Sequence, residues 1–247
     1  MTAPRLDEWL VEQGHYPSRA RARDAINRGC VFVGEGLIAK PSRKVIDPDS
    51  VKISDPAKSH VSRAALKLEA ALELTGFCPE NLTCLDLGSS TGGFCDVMLR
   101  KGAAHVYGVE VGHFQLDHSL HNHPRLTNIE GLNARELSLS HLDMQRPQFV
   151  TSDLSFISLK LALPPALEMS QKGAMGIFLV KPQFEVGREH VGKGGIVRDH
   201  NIAKQYASGL RDWLDNFPGW QSTHFAISPL KGGDGNTEYL LAGIKDD

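Results

Sequence analysis

The first sixty residues alternate apolar and polar positions in a way that predicts a small α+β unit. Apolar side chains at helical spacing within 6–10 predict one short helix, and a second stripe within 22–26 predicts another. Ser18 suits the N-cap of that second helix, and Gly29 suits its C-terminal stop. Alternation around a Gly-Glu-Gly turn in residues 30–38 then predicts a β-hairpin.

The rest of the chain predicts an α/β sheet. Short apolar runs, separated by turn and helix-compatible sequence, predict strands at 83–86, 105–111, 148–153, 176–181, 222–228 and 237–243. We expect the last two to form an antiparallel pair. The pattern favours two domains, residues 1–60 and 61–247, with a Rossmann-like fold in the second.

Composition narrows the class of protein. The chain has 247 residues, of which 41% are hydrophobic and 23% charged, as in globular proteins. No apolar run approaches the roughly 20 residues that span a bilayer, and the start of the chain lacks a secretory signal, so we expect a cytoplasmic location without membrane partners. Cys30, Cys78, Cys84 and Cys95 form no CxxC pair, which argues against a zinc ribbon or disulfide framework. We expect ordinary buried thiols and no metal.

Positive charge is concentrated at the start of the chain. The net charge is −2, but residues 1–60 carry 10 Lys and Arg against 8 Asp and Glu, whereas residues 61–247 carry 17 against 21. Four arginines flank the apolar stripe of the second predicted helix. This distribution permits an RNA-facing surface, although a solvated basic helix has the same appearance.

Three runs carry a family resemblance over residues 5–53. RLDEWLVEQG, SRARARDAINRGCVFV and GEGLIAKPS resemble the RNA-binding domain of the ribosomal protein S4 type, whose arginine helix and hairpin contact RNA phosphates. The resemblance implies RNA contacts by Arg5, Arg19, Arg21, Arg23, Arg28, Lys40, Arg43 and Lys44.

The segment TCLDLGSSTGGF at 83–94 predicts a strand, a tight turn and the start of a helix. Its glycines allow a ligand to approach the backbone, and the helix N-terminus offers unpaired amides. Ser90 occupies the place of the second glycine of GxGxxG, which weakens a dinucleotide interpretation. Glu110 ends the next predicted strand, where its carboxylate is placed to accept hydrogen bonds from ribose hydroxyls. The pattern favours a nucleotide-type cofactor over a purely structural turn.

Four motifs in order resemble the TlyA or hemolysin A-like branch of FtsJ-type RNA methyltransferases. They are DLGSSTGGF, TSDLSFISL at 151–159, LVKPQFE at 179–185 and GNTEYLL at 235–241. The resemblance implies S-adenosylmethionine as cofactor, with Glu110 at the ribose, where the family more often has aspartate. The implied cofactor residues are Asp86, Gly88, Ser89, Ser90, Thr91, Gly92, Gly93, Phe94, Glu110, Asn133, Ala134 and Asp153.

The same resemblance implies a catalytic tetrad of Lys67, Asp153, Lys181 and Glu238. Methylation of a ribose hydroxyl needs an oriented nucleophile and a proton acceptor. We expect Lys181 to accept or orient the 2′-hydroxyl proton, and the two carboxylates to hold the lysines and the ribose. Asp153 and Lys181 both end strand-like runs, which is where open α/β sheets bind ligands.

Two segments add detail to this picture. The family usually has two glycines before its first lysine, whereas Ala64 and Ala65 here favour a helical entry. The segment 184–199 combines four glycines with basic residues, which is typical either of a mobile lid or of a plain surface loop.

The leading hypothesis is 2′-O-methylation of ribosomal RNA, at a cytidine ribose if the resemblance extends to TlyA substrates. The partner would be ribosomal RNA or a ribosomal subunit, and the chain would act as a monomer or a homodimer. One alternative is a ribosome-associated RNA-binding protein without catalysis. Another is an RNA base methyltransferase, although LVKPQFE has lysine where the acid or amide of that class would stand. A third alternative, a membrane-active cytolysin, would need an apolar span, and the sequence contains none.

Overall fold

The computed structural model describes residues 3–34, 36–37, 40–46, 50–232 and 235–246. It divides the chain into two compact units, 1–59 and 60–247. Parts of the predicted hairpin, Glu35 and Ile38, lie outside the described residues.

The first unit packs two helices against a small sheet. Its elements are α1 (Leu6–Glu12), α2 (Arg19–Asn27), β1 (Val31–Val33), β2 (Gly36–Leu37) and β3 (Val51–Ile53). The sheet has the order β2-β1-β3 with antiparallel pairing, so the predicted hairpin is confirmed. The Ser18 hydroxyl accepts a hydrogen bond from the Arg21 amide, and Gly29 has a φ of 76°, which confirms both predicted ends of α2.

The second unit is a seven-stranded sheet with helices between its strands. Its strands are β4 (Thr83–Leu87), β5 (His105–Glu110), β6 (Leu126–Glu130), β7 (Phe149–Ser152), β8 (Met175–Val180), β9 (Trp220–Ile227) and β10 (Tyr239–Lys245). Its α-helices are α3 (Ala65–Thr75), α4 (Gly93–Arg100), α5 (Leu159–Ala162), α6 (Pro164–Met169) and α7 (His200–Asp215). The start of α3 at Ala65 confirms the helical entry predicted for that segment.

The order of the strands shows where a ligand would bind along this sheet. The order is β6-β5-β4-β7-β8-β10-β9, in which β4 to β8 are parallel and β10 is antiparallel to both neighbours. The predicted α/β fold and the antiparallel final pair are therefore confirmed. The order reverses between β4 and β7, and ligands bind outside the carboxyl ends of strands at such a point.

Packing on the two sides of the sheet holds this edge in place. One apolar cluster contains Leu85 and Phe178, and another contains Met98 and Phe149, all buried. The cysteines are free, but Cys78 is exposed, so the expectation that all of them are buried thiols is wrong at that position.

Candidate active site

The glycine turn follows β4 and leaves little room for a side chain at its first residue. Gly88 has a φ of +80°, and a Cβ there would lie 3.1 Å from the Leu154 side chain and 3.3 Å from the Asp153 carbonyl oxygen. Gly92 is the N-cap of α4 with a φ of +88°, which L side chains rarely adopt. The turn therefore needs glycine for both backbone conformation and close approach.

The Glu110 carboxylate, at the end of β5, is fixed against the glycine turn. Its Oε2 accepts a hydrogen bond from the Ser90 amide at 3.0 Å, and its Oε1 accepts one from the Gly112 amide at 2.8 Å. Gln115 lies beside both groups, because its Oε1 accepts from the Ser90 hydroxyl at 3.1 Å. The sequence did not predict Gln115, because no motif marks a residue after β5 whose side chain contacts the glycine turn.

Two cavities open at this edge of the sheet. The larger, of about 710 Å³, is lined by Gly88, Ser90, Glu110, Asn133 and Asp153, and by apolar side chains of the segment 154–161. Ala134 packs instead in the core beneath it, and Asn133 caps the short 3-10 helix Ala134–Glu136. The smaller cavity, of about 200 Å³, is lined by residues that include Asp86, Gly88, Ser89, Ser90, Thr91, Gly93 and Phe94.

Two buried hydroxyls face the smaller cavity. Ser62 and Ser89 both line it, and within the described residues neither side-chain oxygen has a hydrogen-bond partner. Buried polar atoms in native proteins are usually hydrogen-bonded, so these two hydroxyls are suited to hydrogen-bonding with a ligand. Ser62 was not predicted, because it precedes α3 in a segment whose only recognisable feature was Lys67.

Asp86 lies at the base of the turn as a buried acid. Its carboxylate accepts hydrogen bonds from the Thr151 hydroxyl at 2.8 Å and from the Cys95 thiol at 3.2 Å. Burial, which these hydrogen bonds only partly offset, raises the pKa of Asp86 to about 7, and the nearby Asp153 and Glu110 carboxylates add to the rise. Asp86 therefore lines the smaller cavity, and its carboxyl group is protonated at mildly acidic pH.

The four predicted catalytic residues meet next to the cavities. Lys67 Nζ lies 2.6 Å from Glu238 Oε2 and 3.6 Å from Asp153 Oδ2, and Lys181 Nζ lies 2.7 Å from Asp153 Oδ1. Lys67 and Glu238 are buried, and Lys181 keeps about a tenth of its side chain exposed. Asp153 thus bridges the two lysines, and Lys181 is the lysine next to open space.

Charge controls the ionisation of the bridging carboxylate. Burial raises the pKa of Asp153, but the ammonium groups of Lys67 and Lys181 outweigh it and hold this pKa below its ordinary value. Asp153 is consequently an anion near neutral pH, which suits a group that orients two lysines.

The loops that follow β7 and β8 are tied together. Lys181 Nζ donates to the Ser155 hydroxyl at 2.9 Å, and Glu185 accepts from the Ser158 hydroxyl at 2.6 Å and from the Leu159 amide at 2.8 Å. Phe156, in the same loop, has a φ of 65°, a conformation that is rare for a bulky residue. These contacts fix the loop that carries Asp153.

The glycine-rich segment 184–199 is held in place by hydrogen bonds, both within itself and to Asn236. Gly192 N donates to the Ile196 carbonyl at 2.8 Å, which closes a tight turn. The buried Asn236 side chain donates to the Gly195 carbonyl at 2.9 Å and accepts from the Val197 amide at 3.0 Å. The segment is thus attached to the stretch that carries Glu238.

The predicted RNA-contact residues of the first unit, apart from Arg28, fall into three groups. Arg5, Arg19 and Arg23 surround the buried carboxylate of Asp7. Arg21 donates to a backbone carbonyl of the same unit, and the side chains of Lys40, Arg43 and Lys44 are exposed.

Arg28 is less exposed than Arg5, Arg19 and Arg23, and its guanidinium pairs with two carboxylates. Its Nη1 and Nη2 each donate to Asp55 at 2.9 Å, and its Nε donates to Asp24 at 2.8 Å. Only 15% of its side chain is exposed. Arg28 therefore joins α2 to the end of the unit, and its predicted contact with RNA stays a prediction.

Comparison with known proteins agrees with this geometry. The profile of the FtsJ-like methyltransferase family matches residues 60–245, and that of the S4 domain matches residues 4–46. Hemolysin A of Brachyspira hyodysenteriae is 38% identical over 236 residues, which cover 96% of this chain and 98% of that protein. The 16S/23S rRNA (cytidine-2'-O)-methyltransferase TlyA of Mycobacterium tuberculosis is 41% identical over 239 residues, covering 96% and 88%.

A solved structure is similar over the whole chain. A hemolysin candidate from Streptococcus thermophilus superposes with a TM-score of 0.78 at 35% identity, covering 100% of this chain and 90% of that one. In the described part of the chain, no helix combines the length and apolar character needed to cross a bilayer. The motif resemblance is confirmed: the chain belongs to the FtsJ-like methyltransferase family and carries an S4 domain ahead of its methyltransferase domain.

Proposed function

We propose that this protein transfers a methyl group from S-adenosylmethionine to the 2′-hydroxyl of a cytidine in ribosomal RNA. The observation that carries the proposal is the pairing of Lys181 with Asp153, because Asp153 also lines the cavity that contains the Glu110 carboxylate. A relative named for cytidine-2'-O methylation of 16S and 23S rRNA shares 41% identity with the chain.

The residues present fit this cofactor. The glycine turn and the unpaired hydroxyls of Ser62 and Ser89 would hold the amino-acid part, and Glu110 would accept hydrogen bonds from the ribose. Asn133 and the apolar wall of the larger cavity would lie beside the adenine. S-adenosylmethionine, when bound, supplies an electrophilic methyl group.

The protein's own task is to orient a hydroxyl and take its proton. Lys181 Nζ, held by Asp153 and Ser155, would orient the 2′-hydroxyl and, after releasing its own proton to solvent, would accept the hydroxyl proton. Lys67, fixed between Asp153 and Glu238, would keep Asp153 in place and charged. The first unit would bring RNA to this site through Arg5, Arg19, Arg21, Arg23, Lys40, Arg43 and Lys44.

Replacing Lys181 with alanine tests the proposal. Methyl transfer to ribosomal RNA should fall by roughly 10²-fold or more, because a positioned general base is lost, while cofactor affinity stays near that of the wild type. Lys181→Arg should restore little, since a guanidinium does not accept a proton near neutral pH. Lys160→Ala is the matched control, because it removes an exposed lysine from α5.

Nucleoside analysis by mass spectrometry identifies the product. Ribose-methylated cytidine from naked RNA or from isolated ribosomal subunits is the expected result. A methylated base would favour the base methyltransferase alternative. Absence of any transfer by the wild-type protein to either substrate would favour an RNA-binding protein without catalysis.

A further inference from the structure

A single buried carboxylate organises the arginines of the first unit. Asp7 lies in the first turn of α1, and its side chain is fully buried. Its oxygens accept hydrogen bonds from Arg5 Nε at 3.0 Å, Arg19 Nη2 at 3.2 Å and Arg23 Nε at 2.7 Å. Three guanidinium groups from two different elements therefore converge on one anion.

The arrangement leaves the arginines available to a ligand. The side chains of Arg5, Arg19 and Arg23 are 34%, 46% and 47% exposed, although their inner nitrogens are bound to Asp7. A guanidinium has five N–H donors in a rigid fork, so each arginine retains outward donors after it has paired with Asp7. Burial opposes ionisation of Asp7, but hydrogen bonds from the three arginines hold its pKa far below the ordinary value.

We propose that Asp7 is a positioning residue that assembles Arg5, Arg19 and Arg23 into one preformed site for a single RNA phosphodiester. The inference rests on the proposed function, because it takes RNA as the substrate. Arginine side chains are rich in rotamers, and ordering each one on binding opposes association. Asp7 orders all three beforehand. Their three positive charges exceed the two negative charges of Asp7 and the adjacent Glu8, so the cluster remains attractive to a phosphate.

Glu8, the next residue, provides a matched control. Its carboxylate lies 3.1 Å from Arg19 Nη1, but its side chain is 36% exposed. Asp7→Asn and Glu8→Gln each remove one negative charge from the same turn of α1. If charge alone governed RNA binding, both variants would bind RNA more tightly than the wild type. The positioning role predicts weaker RNA binding for Asp7→Asn and no weakening for Glu8→Gln.

The experiment measures binding of the full chain to a 16S ribosomal RNA transcript over a range of salt concentrations. Asp7→Asn should weaken binding by about tenfold, because three arginines must then be ordered by the RNA. The slope of log K against log salt should become shallower by about 0.9, which corresponds to one phosphate. Glu8→Gln should bind as tightly as the wild type or more tightly, with an unchanged slope.

Folding is checked separately, because Asp7 is buried. Circular dichroism and calorimetry of S-adenosylmethionine binding report on each variant. Arg23→Lys keeps both the charge and Asp7 but loses the guanidinium fork, so it should also weaken RNA binding severalfold even if Asp7→Asn unfolds. Wild-type affinity in folded Asp7→Asn, or in Arg23→Lys, would overturn the positioning role. Failure of the wild type to bind or methylate the transcript would instead count against the proposed function.

Discussion

Replacing Asp86 with asparagine should make the protein's stability less dependent on pH. Asp86 is buried beneath the glycine turn and accepts hydrogen bonds from Thr151 and Cys95. Asparagine has nearly the same shape and can still accept from Thr151, but it stays neutral at every pH. The substitution therefore removes an ionisation with little change in packing.

The sign follows from the raised pKa. The folded protein holds a proton on Asp86 up to about pH 7, whereas the unfolded chain releases it near the ordinary value of 3.8. Between these values the folded state binds more protons, so the contribution of this group to stability is present at low pH and is lost as pH rises toward 7. A difference of this size corresponds to about 4 kcal/mol at most.

Urea unfolding followed by circular dichroism, at intervals from pH 4.5 to pH 8, measures this effect. The free energy of unfolding of Asp86→Asn minus that of the wild type should rise steadily with pH and level off above pH 7. Glu136→Gln, at an exposed acid, should differ from the wild type by no more than about 0.5 kcal/mol throughout. A difference between Asp86→Asn and wild type that is constant across this range would refute the reasoning, because Asp86 would then ionise as an ordinary carboxyl.

Three further substitutions have expected outcomes. Gly88→Val puts a branched side chain at a positive φ and against Leu154, so S-adenosylmethionine affinity in calorimetry should fall more than tenfold; unchanged affinity would remove the turn from the cofactor site. Asn236→Ala releases the turn 191–197, so trypsin should cut there about tenfold faster, while cofactor affinity stays constant. Lys245→Met removes three hydrogen bonds to backbone carbonyls at the C-terminal end of α6 and should lower the urea unfolding free energy by about 2–3 kcal/mol. A loss below about 0.5 kcal/mol would contradict that role.

Periodicity and end signals were sufficient for most of the elements. The strand at 83–87 and the helix that starts at Ala65 depend on local patterns, which sequence shows directly. The convergence of Asp153 and Lys181 was predictable, because both follow parallel strands whose carboxyl ends meet at one edge of the sheet.

Contacts between side chains distant in sequence could not be predicted in the same way. Arg28 flanks the same apolar stripe as Arg19, Arg21 and Arg23 in the sequence, and only the fold brings Asp55 beside it. The pinning of a glycine-rich turn by Asn236 likewise depends on tertiary structure, because glycine content alone cannot distinguish a held turn from an open one. Ser62 and Gln115 enter the site through loop geometry that no spacing encodes.

The antiparallel insertion of β10 has a consequence for how the protein folds. Because β10 runs against β8, it begins at the edge where the parallel strands end, and Glu238 therefore reaches Lys67 from the opposite end of the domain's sequence. We expect such a long-range contact to form late, since a long loop must close before it is made. Kinetically, the Lys67–Glu238 pair should be among the last native contacts to appear, so methyl transfer during refolding would report completion of the sheet rather than early collapse.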